Sequence, residues 1–230
     1  MKNIVLLTGA GISAESGIKT FRDADGLWEG HNVMQVASPQ GFAANPELVL
    51  DFYNQRRKQL LTVKPNKAHL AITKLQEHFN VTVVTQNVDD LHERAGNKNV
   101  VHLHGELLKV RCTKNENEVL EWKKDLVLGN LSSTNKQLRP HIVWFGEEVP
   151  LLQKAAEITK TADILIIIGT SMQVYPAASL LHYANNGTPI YFIDPNPSIK
   201  QSDFDSLTII NKTAVNGLPT LVSTLIDTEL

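Results

Sequence analysis

The chain of 230 residues contains a single cysteine, Cys112. One thiol excludes an internal disulfide framework, and it is far short of a structural zinc site, which takes four ligands. Such scarcity agrees with a reducing compartment. Long apolar runs are also missing. The longest, Ile164–Ile168, falls well below the ~20 residues of a membrane span. The run Ile4-Val5-Leu6-Leu7 is too short for the core of a signal peptide and ends in a glycine turn, so a cytoplasmic protein is expected. Nor is there an excess of charge of either sign. The net charge is −2 and the isoelectric point is near 6.4, which gives no electrostatic ground for binding nucleic acid or an anionic membrane. What remains is ordinary: 42% hydrophobic and 20% charged residues. A chain of this length suits one large α/β domain, or one domain carrying a small insertion.

Five short apolar runs alternate with helical stretches, and each ends in a polar or glycine turn. Ile4–Leu7 leads into Thr8-Gly9-Ala10-Gly11, and Val81–Val84 into Thr85-Gln86-Asn87. Val100–Leu103 leads into His104-Gly105, Ile164–Ile168 into Gly169-Thr170-Ser171, and Ile190–Ile193 into Asp194. Continuous apolar strands are buried on both faces, as in a parallel sheet covered by helices. The expected fold is therefore an α/β, doubly wound Rossmann-like sheet, in which ligands gather at the carboxyl ends of the strands. Two stretches interrupt the alternation and are read as a smaller inserted lobe. Residues 27–67 hold turns and a helix near Pro46–Leu61, with Asn45 as N-cap and Pro46 at its first position. Residues 110–138 are polar and irregular.

Gly9-Ala10-Gly11-Ile12-Ser13-Ala14 follows a strand and fits the phosphate fingerprint G-x-G-x-x-A, with a helix expected to open there. A plain strand-to-helix turn is the other reading. The acidic residue that should end a second strand about 20 residues on is missing; Arg22, Asp23 and Asp25 fall in a turn instead. This is not an ordinary dehydrogenase fingerprint. On the Pro46–Leu61 helix, at ~100° per residue, Val49, Phe52, Tyr53 and Leu60 define one apolar face. Arg56 falls near the centre of that face and Arg57 points away. A guanidinium so placed needs an anion: a ligand carboxylate, or an internal partner such as Glu29, Glu47 or Asp51. His102 shares a strand face with His104, a spacing that a metal pair could use, but no third ligand is in view.

The full set of motifs carries more. Gly17-Ile18-Lys19-Thr20-Phe21-Arg22, Thr85-Gln86-Asn87-Val88-Asp89-Asp90-Leu91-His92, His104-Gly105, Arg139-Pro140-His141-Ile142-Val143-Trp144-Phe145-Gly146-Glu147, Gly169-Thr170-Ser171 and Val174-Tyr175-Pro176-Ala177 follow the fingerprint in order. In this order and spacing the chain resembles the sirtuin family over essentially its whole length. It looks closest to the bacterial, desuccinylase-like branch. The resemblance implies an NAD-dependent protein-lysine deacylase that releases nicotinamide and 2′-O-acyl-ADP-ribose and acts on acylated-lysine proteins. A mono-ADP-ribosyltransferase and a non-catalytic NAD or ADP-ribose sensor are the alternatives on the same scaffold. The NAD-binding domain is then expected over 1–26, 68–109 and 139–230, and the small lobe over 27–67 and 110–138.

Residue roles follow from the same resemblance. His104 matches the catalytic base, and an imidazole titrates near working pH. Asn87 and Asp89, with Ala10, Ile18, Phe21 and Val88, match the nicotinamide pocket. Gln86 and Arg22 match positions near the ribose and phosphates. Gly9, Gly11, Ser13, Gly169, Thr170, Ser171, Asp194 and Ala214 complete the cofactor contacts. Val143 and Phe145 match the wall of the acyl-lysine tunnel, and Gly146, Glu147, Val174 and Tyr175 match segments that clamp the substrate backbone as an added strand. A merely buried strand is the other reading of Val143–Phe145. Tyr53 and Arg56 match the Y-x-x-R pattern for an acyl carboxylate. The other histidines, His92 included, are read as structural.

Two departures stand out. The family's four zinc cysteines are reduced to Cys112, so no metal is expected. The lobe would hold itself by an apolar cluster of Leu120, Trp122, Leu126, Leu128 and Leu131, each worth roughly 1.5–3 kcal/mol if buried. Asp194 stands where the family usually has Asn.

Overall fold

A computed structural model describes residues 1–19, 27–28, 30–172 and 175–229. Phe21, Arg22, Asp23, Asp25, Glu29 and Val174 lie outside the described residues. The five apolar runs form strands Asn3–Thr8, Asn80–Thr85, Val100–His102, Ile164–Ile168 and Ile190–Ile193. They pair in parallel, with Leu6 opposite both Val83 and Ile166. A sixth strand, Leu207–Ile210, closes one edge beyond Ile190–Ile193. It is absent from the sequence reading because an edge strand needs little continuous burial, and only Leu207 is fully buried there.

Alternate residues of each strand face opposite sides. On one side Ile4, Leu6, Val83, Ile164, Ile166 and Ile168 pack with helices Lys67–Leu75 and Ala214–Glu229. On the other, Val5, Leu7, Leu165 and Ile167 pack with helix Leu152–Lys160 and the 3₁₀ segment Ala177–Tyr183. Helices on both faces leave the strand ends as the open part of the sheet.

The glycine fingerprint does not open an α-helix. Two single 3₁₀ turns, Ala10–Ile12 and Ala14–Ser16, follow the first strand and stop at Gly17. The cause is the neighbouring strand end: Gly9 N–H donates to Ile168 O (3.1 Å) and Gly11 N–H to Gly169 O (2.8 Å). Donors committed across the sheet are not aligned along a helix axis, so the fingerprint itself brings no helix dipole to the cleft.

The helix Pro46–Thr62 begins as expected, with Asn45 Oδ1 accepting from Leu48 N–H (3.0 Å) and Pro46 in the first turn. Its arginines reverse the expectation. Arg57 is 1% exposed and Arg56 is half-buried. The helix is covered on two sides, not one. Val49, Phe52, Tyr53 and Leu60 meet Trp144 and Leu107, while Leu50, Asn54 and Arg57 meet a second sheet. Periodicity alone assigned that second side to solvent.

The second sheet is a finding as well. Strands Val119–Glu121, Gly105–Cys112 and Leu138–Ile142 form an antiparallel ladder in that order, where irregular polar chain was expected. The anticipated apolar cluster is mostly outside: Leu120, Leu128 and Leu131 are exposed, Trp122 is half-buried, and only Leu126 is fully buried. Leu126 instead packs with Leu50, Val110 and Leu138. The Asn54 amide pairs with the Leu126 backbone in both directions, donating to its O (3.0 Å) and accepting from its N–H (2.8 Å). Arg57 donates to Asn54 Oδ1 (2.7 Å) and to Leu107 O (3.2 Å). Among the described residues no three His, Cys, Asp or Glu side chains converge as a metal site.

Asn54→Ala is therefore expected to lower stability by about 2–4 kcal/mol, since it removes three hydrogen bonds and strands buried polar groups. Cys112→Ser and a strong chelator should leave the melting temperature unchanged. A chelator that lowers it would show that metal, not Asn54, holds this lobe.

Candidate active site

One cleft of about 510 Å³ runs along the carboxyl ends of the central strands. Its floor is backbone. A Cβ on Gly11 would come within 2.6 Å of Gly169 Cα, and one on Gly9 within 2.7 Å of Gly169 O. Glycine at all three positions lets two loops touch and leaves a shallow cradle for an extended ligand. Gly9, Ala10, Gly11, Ile18, Gln86, Asn87, Val88, Asp89, Gly169, Thr170, Ser171, Asp194 and Ala214 all line it. So do Tyr53, His104, Val143, Phe145, Gly146, Glu147 and Tyr175. The cleft thus gathers most of the described residues singled out from the sequence. Ser13 and Arg56 do not line it.

Asn87 and Asp89 are 7% and 5% exposed, and Ser13 sits fully buried between them. The Asn87 amide donates to Gly9 O (3.1 Å) and to Ser13 Oγ (3.2 Å), which turns its carbonyl oxygen into the group available as an acceptor. Ser13 Oγ donates to Asp89 Oδ2 (2.9 Å), and Leu91 N–H donates to Asp89 Oδ1 (3.2 Å). Ser13 thus acts on the cleft through these two side chains. Burial pushes the Asp89 carboxyl up to about 6 despite those two bonds.

The sign of that shift makes a prediction. Below the ordinary carboxylate value Asp89 is protonated in both folded and unfolded chains and has no effect. As pH rises from there through about 6, the unfolded chain releases its proton first, so stability falls. The full penalty, on the order of 3 kcal/mol, is present at neutral pH. Asp89→Asn should raise the melting temperature at pH 7 and not at pH 4, while impairing the site. A variant less stable than wild type at pH 7 would contradict this.

His104 is half-buried at the end of its strand. Its Nδ1 lies 3.0 Å from Gln86 O, a bond that only a protonated Nδ1 can make, so Nε2 carries the lone pair. Burial lowers its pKa, outweighing the Gln86 carbonyl, and keeps the ring neutral near pH 7. The His104 carbonyl is fixed too, accepting from Val143 N–H (2.9 Å). Gly105 follows with φ 82°, and a Cβ there would strike His141 O at 2.0 Å. Only glycine allows the sharp exit that aims His104.

His92 is structural, its Nε2 on Thr8 Oγ1 at 3.1 Å. His102 pairs with Glu93 (2.7 Å) rather than with His104.

The far wall comes from residues 143–147. Phe145 is 41% and Tyr175 71% exposed, while Trp144 turns inward. The Trp144 indole N–H donates to Tyr53 Oη (3.0 Å), and the Arg139 guanidinium lies 3.3 Å over the indole. Glu147, placed by resemblance on the substrate backbone, commits its carboxylate to Arg139 (2.5 Å), Arg111 (3.1 Å) and Trp144 N–H (2.8 Å). Trp144, Arg139 and Arg111 were not singled out from the sequence. Strand alternation was the available signal, because Trp144 must face away from Val143 and Phe145. The Arg56 guanidinium stacks 3.8 Å over Phe52 and donates to Phe52 O (2.8 Å).

Comparison with known proteins agrees with this geometry. A profile of the Sir2 family matches residues 9–176. An NAD-dependent protein deacylase of Helicobacter pylori is 59% identical over 230 residues, covering 99% of both chains. One of Bacteroides thetaiotaomicron is 51% identical, covering 98% of this chain and 99% of its own. The solved structure of a Sir2 homologue–NAD complex superposes with a TM-score of 0.88 at 40% identity, over 99% of this chain and 90% of that one. A Sir2 bound to acetylated peptide gives 0.78 at 29% identity, over 98% and 92%. The chain belongs to the Sir2 family.

Proposed function

We propose that the protein is an NAD-dependent protein-lysine deacylase, acting on acylated-lysine proteins and releasing nicotinamide and 2′-O-acyl-ADP-ribose. The observation that carries this reading is the imidazole of His104, with its tautomer set by Gln86 O, facing the same cleft as the glycine cradle and the Asn87–Asp89 pair. The residues fit NAD: two loops in backbone contact leave room for a diphosphate, and two buried polar side chains end in acceptors. NAD supplies the ribose and the leaving nicotinamide. Asn87 Oδ1 and the Asp89 carboxylate hold the carboxamide as acceptors. His104 Nε2 takes the proton from a ribose hydroxyl. Phe145 and Val143 shield the acyl-lysine from water. Glu147 holds its own loop, so Gly146 and its neighbours offer the peptide their backbone.

A finer part of the reading is activity on acidic acyl groups. Because Tyr53 Oη already accepts from the Trp144 indole, its proton points onward to a ligand oxygen. The phenol senses the charges of Arg139 and Arg56, and burial pushes its pKa up, which keeps that proton in place. Arg56 would complete a carboxylate site by turning its fork toward Tyr53. A cytoplasmic location belongs to the same reading; no described helix is long and apolar enough to cross a membrane.

The test is incubation with acetyl- and succinyl-lysine peptides, with and without NAD, followed by mass analysis. Free lysine and acyl-ADP-ribose are expected only with NAD. ADP-ribosylated protein would favour the transferase alternative, and bound but unconsumed NAD a sensor.

A further inference from the structure

Three successive carbonyls of the turn that carries Asn87 and Asp89 are held from one segment. His104 Nδ1–H donates to Gln86 O (3.0 Å), His102 Nδ1–H to Asn87 O (3.0 Å), and Leu107 N–H to Val88 O (2.8 Å). The His102 ring has a second partner. Its Nε2 lies 2.7 Å from Glu93 Oε1, and its side chain is 8% exposed. The base itself is thus one of three clamps, and the clamp next to it is an ion pair between a buried His102 and an exposed Glu93, neither of which lines the cleft. Resting on the deacylase reading, we propose that His102 and Glu93 form a positioning pair that sets the Asn87–Asp89 turn, and with it nicotinamide binding and cleavage, through the Asn87 carbonyl.

The chemistry explains why a charged ring is needed. Holding Asn87 O and Glu93 together requires a proton on both nitrogens. A neutral ring has one proton, and the carboxylate, the stronger acceptor, draws it to Nε2. The Asn87 carbonyl then loses its donor. Burial alone would lower the His102 pKa; the hydrogen bond and charge of Glu93, aided by the Asn87 carbonyl and Glu106, outweigh it and raise the pKa. The groups facing the ring are of both signs. Glu93, Glu106 and Asp89 favour the proton. Lys109 and Lys154, which share a cavity of about 280 Å³ with His102 and Glu93, oppose it; His141 in the same cavity and His92 behind the ring are kept neutral by burial. This cavity shares no lining residue with the main cleft. A proton can therefore reach the pair without passing the substrate.

The test separates the two ring nitrogens. His102→Asn keeps a donor near Nδ1 and loses Glu93, whereas His102→Gln reaches toward Glu93 and loses Asn87 O. Nicotinamide affinity is read by calorimetry, and kcat and KM on an acetyl-lysine peptide by product formation. His102→Gln should weaken nicotinamide affinity and kcat by roughly ten-fold, the scale of one lost hydrogen bond, with peptide KM held within about two-fold. His102→Asn should recover most of that loss. Wild-type nicotinamide affinity should fall as pH rises through the raised His102 value, and Glu93→Gln should flatten that fall, because an amide does not draw the ring proton away from Nδ1. An active wild type with unchanged affinity in His102→Gln rejects the clamp and keeps the deacylase reading. Equal loss of peptide and nicotinamide binding with a lowered melting temperature, or a Glu93→Gln pH profile matching wild type, also rejects it. A wild type that fails to deacylate but whose nicotinamide affinity follows the series rejects the reading and keeps the clamp.

Discussion

His104→Ala is expected to lower kcat on an acetyl-lysine peptide by roughly 10²-fold or more, the usual contribution of a positioned general base. The variant should fold, because the ring is half-buried and its hydrogen bond is to Gln86 O. Losing the ring also releases one of three carbonyl clamps, so some loss of nicotinamide affinity should accompany the loss of rate. The pH profile gives an independent check. Burial sets the His104 pKa below the ordinary imidazole value of 6.5. Protonation removes the base, so the rate should fall as pH drops through that lowered value and not before. A His104→Ala enzyme with wild-type turnover would end the assignment of the base.

Arg56→Met should separate two substrates. On the proposed reading only a succinyl chain brings a carboxylate to the Tyr53 side of the cleft, and losing its charged partner costs roughly 2–5 kcal/mol, about 30- to 5 × 10³-fold in kcat/KM. Deacetylation should change far less. Met keeps much of the aliphatic bulk over Phe52, where the guanidinium now stacks at 3.8 Å. Tyr53→Phe should show a smaller bias of the same sign, since it removes one neutral donor. Equal loss on both substrates would make Arg56 a structural cation of the Pro46–Thr62 helix instead.

Much of this was legible in the sequence. Fully buried parallel strands read as continuous apolar runs, so Ile4–Leu7 and Ile164–Ile168 announced both the sheet and the places where polar turns would converge. The site's outline followed, because Gly9, Asn87, His104, Gly169 and Asp194 all sit at strand ends. What stayed hidden depends on contacts between segments far apart in the chain. Arg57 and Asn54 are polar by type, and only the second sheet shows that they face protein rather than water. Ser13 suggested a phosphate contact, yet its hydroxyl joins Asn87 to Asp89, 74 and 76 residues away. Trp144 lay inside a recognised motif, but its hydrogen bond to Tyr53 spans 91 residues. Periodicity finds faces; it does not say how many of them meet other protein.

The sheet order bears on how the protein is made. The strand Asn3–Thr8 is translated before both of its neighbours, Asn80–Thr85 and Ile164–Ile168. Gly11 meets Gly169 only after the latter strand has docked. A pairing this distant in sequence closes slowly, because the loop entropy must be met before the contact stabilises anything. Helix Lys67–Leu75 can cover Ile4 and Leu6 early, but the edge of the strand that pairs with Ile164–Ile168 stays open while about 160 further residues are translated, on the order of ten to thirty seconds. The NAD cradle, assembled across that junction and completed by Asp194 and Ala214, is absent from every shorter nascent chain. Activity thus arrives only late in synthesis, and slow translation before residue 168 lengthens the interval in which the chain is prone to aggregate.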